Sequence, residues 1–429
     1  MENPYIIDII LSCAIFITTY IVIMFEKFDR TTISLSGASL MILTKIITQE
    51  NAFFEIELGT IALLISMMVI VMISKRTGIF EYIAIKTVKI SKAEPLKILL
   101  ILALVTGLLS SVLDNVTTIL LILPITINIA KDLSINPIPI VIAEIFASNI
   151  GGTATLVGDP PNIMLAGSVG FSFVDFLKND AVIAIPLLFL TTYIFMLIYK
   201  KNLFASTESK QKVLQLNENL IIKDKKLLIK CLVILCLTIV GFLLHGVLHY
   251  ESSTIAIAGA TLLLLITGFR SEKILKEVEW KTIFFFAGLF ILIGGLKQTG
   301  VIKIIAQTVL DLTKGNLILS TLGILWGSAI ASAFIDNIPF VATMIPLIQN
   351  MGTLSNMDLN PLWWALSLGA CLGGNGTIIG SSANVIAVGI LEEHGININF
   401  KTFFKVAFPM MLLTIIISSV YLYIFYLAK

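Results

Sequence analysis

Charged residues are scarce in this sequence. Asp, Glu, Lys and Arg make up only 13% of the 429 residues, whereas 57% are hydrophobic and the mean hydropathy is +0.99. This composition excludes an ordinary soluble domain, in which about 25% of residues are charged. Apolar runs long enough to cross the roughly 30 Å core of a bilayer occur at 5–24, 58–74, 182–199, 231–249 and 406–427. We therefore expect an all-α polytopic protein of the cell (inner or plasma) membrane.

The signatures of several other functional classes are also absent. The sequence has no Walker loop and no hydrophilic domain large enough to hydrolyse ATP, so active transport would have to draw on an ion gradient. It has no Gly-x-Gly-Asp signature, which argues against an intramembrane aspartyl protease. Cys13, Cys231, Cys236 and Cys371 show no metal-ligand spacing, and we expect all four to be small buried hydrophobic residues. We expect no enzyme activity, no cofactor and no nucleic-acid partner.

The distribution of basic residues predicts the orientation in the membrane. Of the 29 Lys and Arg residues, 23 fall in the segments 25–30, 75–97, 131, 200–230, 270–281 and 401–405. By the positive-inside rule these segments are cytoplasmic, which places both termini outside. The first apolar run lacks a basic flank and a cleavage signature, so we interpret it as the first membrane helix.

An internal repeat organises the chain. "LDNVTTILLILP" (113–124) matches "IDNIPFVATMIP" (335–346), and "GGTATLVGDPPN" (151–162) matches "GGNGTIIGSSAN" (373–384). Two further blocks, beginning at 32 and 75, match in the same way, and every pair is displaced by 222 residues. Four blocks with one offset indicate a duplication. We predict a first repeat over 1–200, a cytoplasmic linker over 201–227 and a second repeat over 228–429.

The charge pattern predicts how each half crosses the bilayer. Basic residues flank both ends of 95–131, so we expect a re-entrant hairpin that turns at Asp114 and Asn115. This gives about five crossings per half, an odd number that inverts the second repeat relative to the first. We expect 137–148 to be a helix too short to span, and 149–161 to interrupt it. Inverted repeats with broken helices are typical of secondary transporters, whose site lies near the midplane.

Acidic residues within the apolar regions are the strongest functional candidates. Asp114 and Asp336 occupy equivalent positions, each followed by Asn, whereas the counterpart of Asp159 is Ser381. A carboxylate at bilayer depth is costly unless it is protonated, paired or coordinating, so it is a functional candidate by default. A hairpin cap is the alternative interpretation for the two Asp-Asn pairs. Because Asp159 is where the half-sites differ, we expect it to bind the coupling ion.

The remaining site candidates are glycines and neutral oxygen donors near the interruptions. Glycine allows the backbone to approach an ion, and Asn, Thr and Ser supply uncharged oxygens. Tight helix packing through small residues is the alternative for the glycines. The complete predicted substrate and ion site is Asp114, Asn115, Asn149, Gly151, Thr155, Asp159, Asn162, Asp336, Asn337, Thr377, Gly380, Ser381 and Asn384.

At "LDNVTTILLILP", "SNIGGTATLVGDPPNIM" and "FIDNIPFVATMIP" the chain resembles the ion transporter superfamily. It is most similar to the branch that holds arsenite/antimonite permeases, sodium/proton antiporters and the P-protein, and is related to divalent-anion:sodium symporters. The resemblance implies a homodimer and an elevator-type mechanism. It also implies a scaffold part, 1–94 with 201–314 (228–314 within the second repeat), and a transport part, 95–200 with 315–429.

The same resemblance implies a role for the hairpin tips. In the sodium-coupled dicarboxylate relatives these tips read Ser-Asn-Thr and bind substrate carboxylate and sodium. Here the corresponding residues are Asp114-Asn115-Val116 and Asp336-Asn337-Ile338, which makes Asp114, Asn115, Asp336 and Asn337 the candidate sodium ligands. Ionised aspartates would repel a dicarboxylate, so a proton, a cation or a neutral oxyacid such as arsenous acid fits better.

The sequence therefore predicts an ion-coupled secondary active transporter. We expect proton-coupled efflux of arsenite, antimonite or a related small anion or neutral oxyacid. A sodium/proton antiporter and a sodium-coupled citrate-like transporter are the alternatives. A passive channel is a further alternative, which dependence of transport on a coupling ion would distinguish.

Overall fold

The computed structural model describes residues 6–24, 28–215 and 221–428, and within these ranges the chain is helical with no strand. Predictions that concern 1–5 at the first apolar run, 25–27 in the first cytoplasmic segment, 216–220 in the linker and 429 at the end of the second repeat lie outside the described residues. In the first half the α-helices are Ile6–Met24, Arg30–Leu43, Gln49–Phe54, Leu58–Lys75, Ile79–Ile90, Pro95–Ser110, Asn115–Asp132, Ile138–Thr153, Pro160–Val169, Phe173–Asn179, Ala181–Tyr199 and Thr207–Leu214.

The second half presents nearly the same order of helices about 222 residues later. Its α-helices are Lys225–Leu248, Ser252–Thr267, Ser271–Leu275, Trp280–Gln298, Val301–Thr313, Leu317–Phe334, Asn337–Ser355, Asn360–Gly373, Ser382–Glu393 and Phe400–Leu422. Short 3₁₀ segments at Gly374–Gly376 and Ile378–Gly380 and a π-helical turn at Tyr423–Leu427 complete it. The inverted orientation of the two halves stays a prediction.

Eight of the described helices are long and apolar enough to span a membrane. They are Ile6–Ile23, Leu58–Lys75, Asn115–Asp132, Ala181–Tyr199, Lys225–Leu248, Trp280–Gln298, Leu317–Phe334 and Phe400–Leu427. Their outward faces are apolar, as on Lys225–Leu248, where Leu232, Val233 and Leu237 are exposed. The predicted all-α, multi-pass membrane fold is therefore confirmed. Among the cysteines, Cys231 and Cys371 are buried, Cys13 is half-buried and Cys236 is exposed, so the expectation that all four are buried is wrong for Cys13 and Cys236.

The interruption near 149–161 is shorter than the sequence suggested. The helix that begins at Ile138 runs through Asn149, Gly151 and Gly152 to Thr153, and a new helix begins at Pro160. Helical geometry survives because both glycines are fully enclosed by neighbouring backbone, which keeps their amides bonded and dry. The expected end of this helix at 148 is thus wrong, and only 154–159 forms the break.

Helices of the first half pack against helices of the second half in pairs that are related to each other by the repeat. Arg30–Leu43 packs on Trp280–Gln298, and the corresponding helices Ser252–Thr267 and Leu58–Lys75 pack on each other. The hairpin helix Asn115–Asp132 contacts Ser382–Glu393, and its counterpart Asn337–Ser355 contacts Pro160–Val169. Each hairpin therefore packs against the helix that follows the break in the other half.

Candidate ion and substrate site

Both predicted hairpin tips are helix N-caps. Asp114 Oδ1 accepts the backbone N–H of Thr117 at 2.8 Å, and Oδ2 accepts the Thr117 hydroxyl at 2.5 Å. Asp336 Oδ1 accepts the backbone N–H of Ile338 at 3.1 Å. Aspartate is preferred at this position because its carboxylate satisfies an N–H that has no partner within the helix. The cap thus fixes each acid at the turn of its hairpin.

Asp336 also has a cationic partner. Arg30 Nη1 donates to Asp336 Oδ2 at 3.3 Å and to Ser382 Oγ at 2.6 Å, while the Ser382 hydroxyl donates to the same carboxylate oxygen at 2.5 Å. The guanidinium lies over the ring of Phe285, 5.3 Å from its centroid. Asp336 is therefore part of a charge-compensated triad rather than an isolated acid.

A cavity of 280 Å³ opens beside this triad. Tyr20, Arg30, Phe285, Asp336 and Ser382 lie in its wall, together with apolar side chains from the helices on either side. The Tyr20 hydroxyl donates to the Pro339 carbonyl at 2.8 Å, which ties the first helix to the second hairpin. The cavity is large enough for a small solute and offers one cation, one anion and two hydroxyls to it.

Asp159 has different surroundings. It is fully buried, and its carboxylate oxygens accept the Asn337 amide at 3.3 and 3.2 Å. The Cys371 thiol lies near the same carboxyl and donates to Asn162 Oδ1 at 3.4 Å. Although Asp159 precedes Pro160–Val169, its side chain caps no backbone N–H of that helix. Within the described residues it has no basic partner.

Four buried asparagines meet in the middle of the site. Asn149 Nδ2 donates to Asn375 Oδ1 and Asn384 Oδ1, both at 3.0 Å, and Asn149 Oδ1 accepts Asn115 Nδ2 at 3.1 Å. Ser381 adds its hydroxyl to Asn149 Oδ1 at 3.2 Å. The Asn375 Nδ2 group is buried and has no partner among the described residues, whereas buried donors are normally satisfied. The cluster thus leaves one donor free for a bound molecule.

Two threonines bond the breaks to the hairpins, and two asparagines bond to carbonyls in and beside the breaks. The Thr155 hydroxyl donates to the Ser111 carbonyl at 2.6 Å, and the Thr377 hydroxyl donates to the Ala333 carbonyl. Asn162 Nδ2 faces the carbonyls of 152, 153 and 155, and Asn384 Nδ2 donates to those of 374 and 377, both at 2.8 Å. The hydrogen bonds of these four side chains therefore stabilise the backbone at the two breaks.

The glycines permit close backbone contact. A Cβ at Gly151 would lie 2.0 Å from the Gly107 carbonyl oxygen, and one at Gly380 would lie 2.6 Å from the Gly374 carbonyl oxygen. Hydrogen at these positions lets the helices and the break touch. The structure places eleven of the thirteen predicted residues in two roles, whereas Asp114 and Asp336 cap the hairpin helices. Asp159, Asn337, Asn115, Asn149 and Ser381 form the polar centre, whereas Gly151, Gly380, Thr155, Thr377, Asn162 and Asn384 support it.

Sequence reasoning missed several polar residues of the site. The sequence predicts only a cytoplasmic charge at Arg30, and Asn375, whose repeat counterpart is Thr153, is not among the predicted site residues. Glu57 and Glu279 were also missed, although "EIE" (55–57) and "EVE" (277–279) share the 222-residue offset. That offset was the signal that could have found the two glutamates.

These two glutamates lie just ahead of the helices Leu58–Lys75 and Trp280–Gln298. Burial, reinforced by Asp114 and opposed by Thr282 and Arg30, raises the pKa of Glu279 to about 7. Burial also raises the pKa of Glu57, with Glu251 and Glu55 acting in the same direction and Lys297 against it. Glu57 lines a second cavity of 440 Å³ with Thr60 and Glu251.

The helical fold with its apolar outer faces and enclosed polar centre defines a multi-pass membrane transporter. The comparisons with known proteins agree. The chain belongs to the CitMHS family, whose model, described as a citrate transporter, matches residues 20–369.

Several relatives match over nearly the whole chain. The "46 kDa membrane protein" of Mycobacterium leprae is 41% identical, covering 97% of this chain and 99% of its own length. An uncharacterized transporter of Mycobacterium tuberculosis is 40% identical with the same coverage. The human P protein is 33% identical over 97% of this chain, which spans 60% of that protein.

A solved structure shares the fold. The YdaH transporter of Alcanivorax borkumensis superposes with a TM-score of 0.60, covering 89% of this chain and 88% of its own at 17% sequence identity. The solved structure therefore supports the architecture alone, while the family and the relatives support the class of transporter.

Proposed function

We propose that this protein is a proton-coupled secondary active transporter of a small oxygen-bearing solute. The observation that carries the proposal is the fully buried Asp159 carboxyl, whose hydrogen-bond partner is the Asn337 amide. A buried carboxylate without a compensating charge is strongly disfavoured. The site therefore favours a state in which Asp159 carries a proton or a bound cation, and exchange of that ion couples transport to a gradient.

The asparagine cluster supports binding of a neutral or weakly charged solute. Amide groups both donate and accept hydrogen bonds, and the free Nδ2 group of Asn375 lies among Asn149, Asn384 and Asn115. A hydroxylated neutral species such as arsenous acid suits such partners, which is the basis for proposing arsenite or antimonite as substrate. Cys371 lies against Asn162, which places one thiol beside the centre.

Citrate or a similar carboxylate is the second candidate, and Arg30 is the reason. Its guanidinium faces the 280 Å³ cavity and is a good carboxylate ligand. The repulsion expected from ionised Asp336 is offset by the same arginine. The description of the CitMHS family as citrate transporters agrees with this candidate.

We propose that transport proceeds by movement of one part of the protein against the other. The reciprocal packing of Arg30–Leu43 on Trp280–Gln298 supports a scaffold made of 1–94 with 201–314. The interlocked hairpins and broken helices support a transport part made of 95–200 with 315–429. By this proposal the two parts slide in an elevator-type motion, within a homodimer.

A substrate panel in proteoliposomes tests the proposal. Arsenite, antimonite and citrate are each offered under an imposed proton gradient, an imposed sodium gradient or neither. We expect accumulation of one of them to depend on the proton gradient. Sodium-driven proton flux without any added solute would instead establish a sodium/proton antiporter, and uptake independent of both gradients would contradict coupled transport.

A further inference from the structure

A second buried acid lies outside the site described so far. Asp180 stands between Phe173–Asn179 and Ala181–Tyr199 and is fully buried. Its side chain caps no backbone N–H of the following helix. One carboxyl oxygen, Oδ1, has no hydrogen-bond partner among the residues that the structure describes, and the other, Oδ2, contacts the Ser367 hydroxyl. The usual structural roles of a buried aspartate, as a cap or in an ion pair, are therefore not met here.

In the part of the chain that the structure describes, no positively charged group faces Asp180. The titratable side chains close enough to interact with it are Cys371, Tyr421 and Tyr426. Both tyrosine hydroxyls are turned to Asn179, one to its backbone carbonyl at 2.7 Å and the other to its amide oxygen. Within the described residues Asp180 forms no ion pair. An ionised carboxylate would be uncompensated at this position.

The Ser367 hydroxyl has one proton to donate but contacts two oxygens that could accept it. It lies 2.8 Å from Asn162 Oδ1 and also contacts Asp180 Oδ2. The Asn162 oxygen can only accept, because Asn162 Nδ2 faces the carbonyls of 152, 153 and 155 and so fixes the orientation of the amide. Both contacts are hydrogen bonds only if Asp180 supplies a proton of its own.

We propose that Asp180 is a second proton-binding site, which Ser367 connects to Asn162 and thereby to the broken helix. With the proton bound, Asp180 Oδ2 donates to Ser367 Oγ, and Ser367 donates to Asn162 Oδ1. When the proton leaves, the Ser367 hydroxyl turns to the carboxylate, and Asn162 keeps only the Cys371 thiol, at 3.4 Å. The protonation state of Asp180 is thus transmitted to Asn162, whose amide faces the carbonyls of 152, 153 and 155 where the break at 154–159 begins.

The pair of Asp180 and Ser367 is not repeated at the corresponding positions of the duplication. The counterpart of Asp180 at the 222-residue offset is Thr402, and the counterpart of Ser367 is Ile145. The corresponding pair, Thr402 and Ile145, therefore lacks both the carboxyl of Asp180 and the hydroxyl of Ser367. Any part that the Asp180 proton takes in transport rests on the proposed function, whereas the existence of the bound proton does not.

Infrared difference spectroscopy of the purified full-length protein at neutral pH tests the bound proton directly. Protonated carboxyl groups give a carbonyl band that carboxylates lack. Asp180→Asn should remove part of that band, whereas Asp175→Asn, in the adjacent helix, should leave it unchanged. Asp175 is a good control because its carboxylate accepts two bonds from Ser172. An unchanged band in Asp180→Asn would overturn the proposal.

Ser367→Ala keeps the acid and tests the connection, which also covers the case in which Asp180→Asn fails to fold. Loss of the acceptor for the Asp180 proton should shift the carbonyl band to higher frequency. An unshifted band would overturn the link through Ser367. Because neither measurement depends on transport, a shifted band together with gradient-independent uptake would contradict the proposed function and leave the proton site standing.

Discussion

The carboxyl of Asp159 and the amide of Asn337 meet in the buried centre although 178 residues separate them. The first residue precedes the helix after the break of one half, and the second begins the hairpin helix of the other half. At the equivalent place in the other half-site, Ser381 and Asn115 both bond to Asn149 instead of to each other. The two half-sites thus share a backbone framework but differ in charge at this position. Asp159 is ionisable, whereas its counterpart Ser381 is not.

Asp159→Asn is expected to uncouple transport from the proton gradient. Asparagine retains an oxygen that accepts the Asn337 amide, so the contact between the halves survives, but it cannot gain or lose a proton. Uptake driven by a pH gradient in proteoliposomes should fall to background, whereas exchange of labelled for unlabelled substrate without a gradient should continue.

The control for this experiment is Asp358→Asn, which changes an exposed acid that bonds only to a neighbouring backbone N–H. This variant should behave as the wild type in both assays. Full pH-driven uptake by Asp159→Asn would contradict the coupling role assigned to Asp159.

Arg30→Gln is expected to lower stability because it leaves Asp336 without its cation. The side chain of Arg30 is 34% exposed, so solvent screening limits the loss to about 1 kcal/mol. The double variant Arg30→Gln with Asp336→Asn removes both charges and should be less destabilised than the sum of the single variants. Thermal unfolding in detergent measures all three proteins, and strictly additive effects would show that the ion pair is energetically silent.

Much of the fold and part of the site could be predicted from the sequence, for identifiable reasons. The long apolar runs and Pro160-Pro161 act locally, so the spanning helices and a helix interruption next to the two prolines were predictable. Arg30 and Asp336 are 306 residues apart, and only the folded chain pairs them. Helix continuation through Gly151 and Gly152 depends on enclosure by other helices, which local propensity does not include.

Glu279→Gln is expected to flatten the pH dependence of stability. Burial raises the pKa of Glu279 from 4.5 to about 7, so the folded state binds this proton more tightly than the unfolded state. Its stabilising contribution is therefore complete below about pH 4.5 and is lost as the pH rises to about 7. Between these pH values the unfolding temperature should fall more steeply for the wild type than for Glu279→Gln. The exposed Glu272→Gln is the control, and parallel curves for wild type and Glu279→Gln would contradict the assignment.

Gly151→Ala is expected to separate two helices of the first half. The added Cβ would lie 2.0 Å from the Gly107 carbonyl oxygen, and backbone cannot yield without moving Pro95–Ser110 away from Ile138–Thr153. Overpacking of this kind costs about 1–3 kcal/mol or more, so the unfolding temperature and transport should both decrease. Gly323→Ala is the matched control, because a Cβ there meets no atom within 4 Å. Alanine is favoured over glycine within a helix by about 1 kcal/mol, so this control should be neutral or more stable. Equal stability of the two variants would contradict close backbone contact at Gly151.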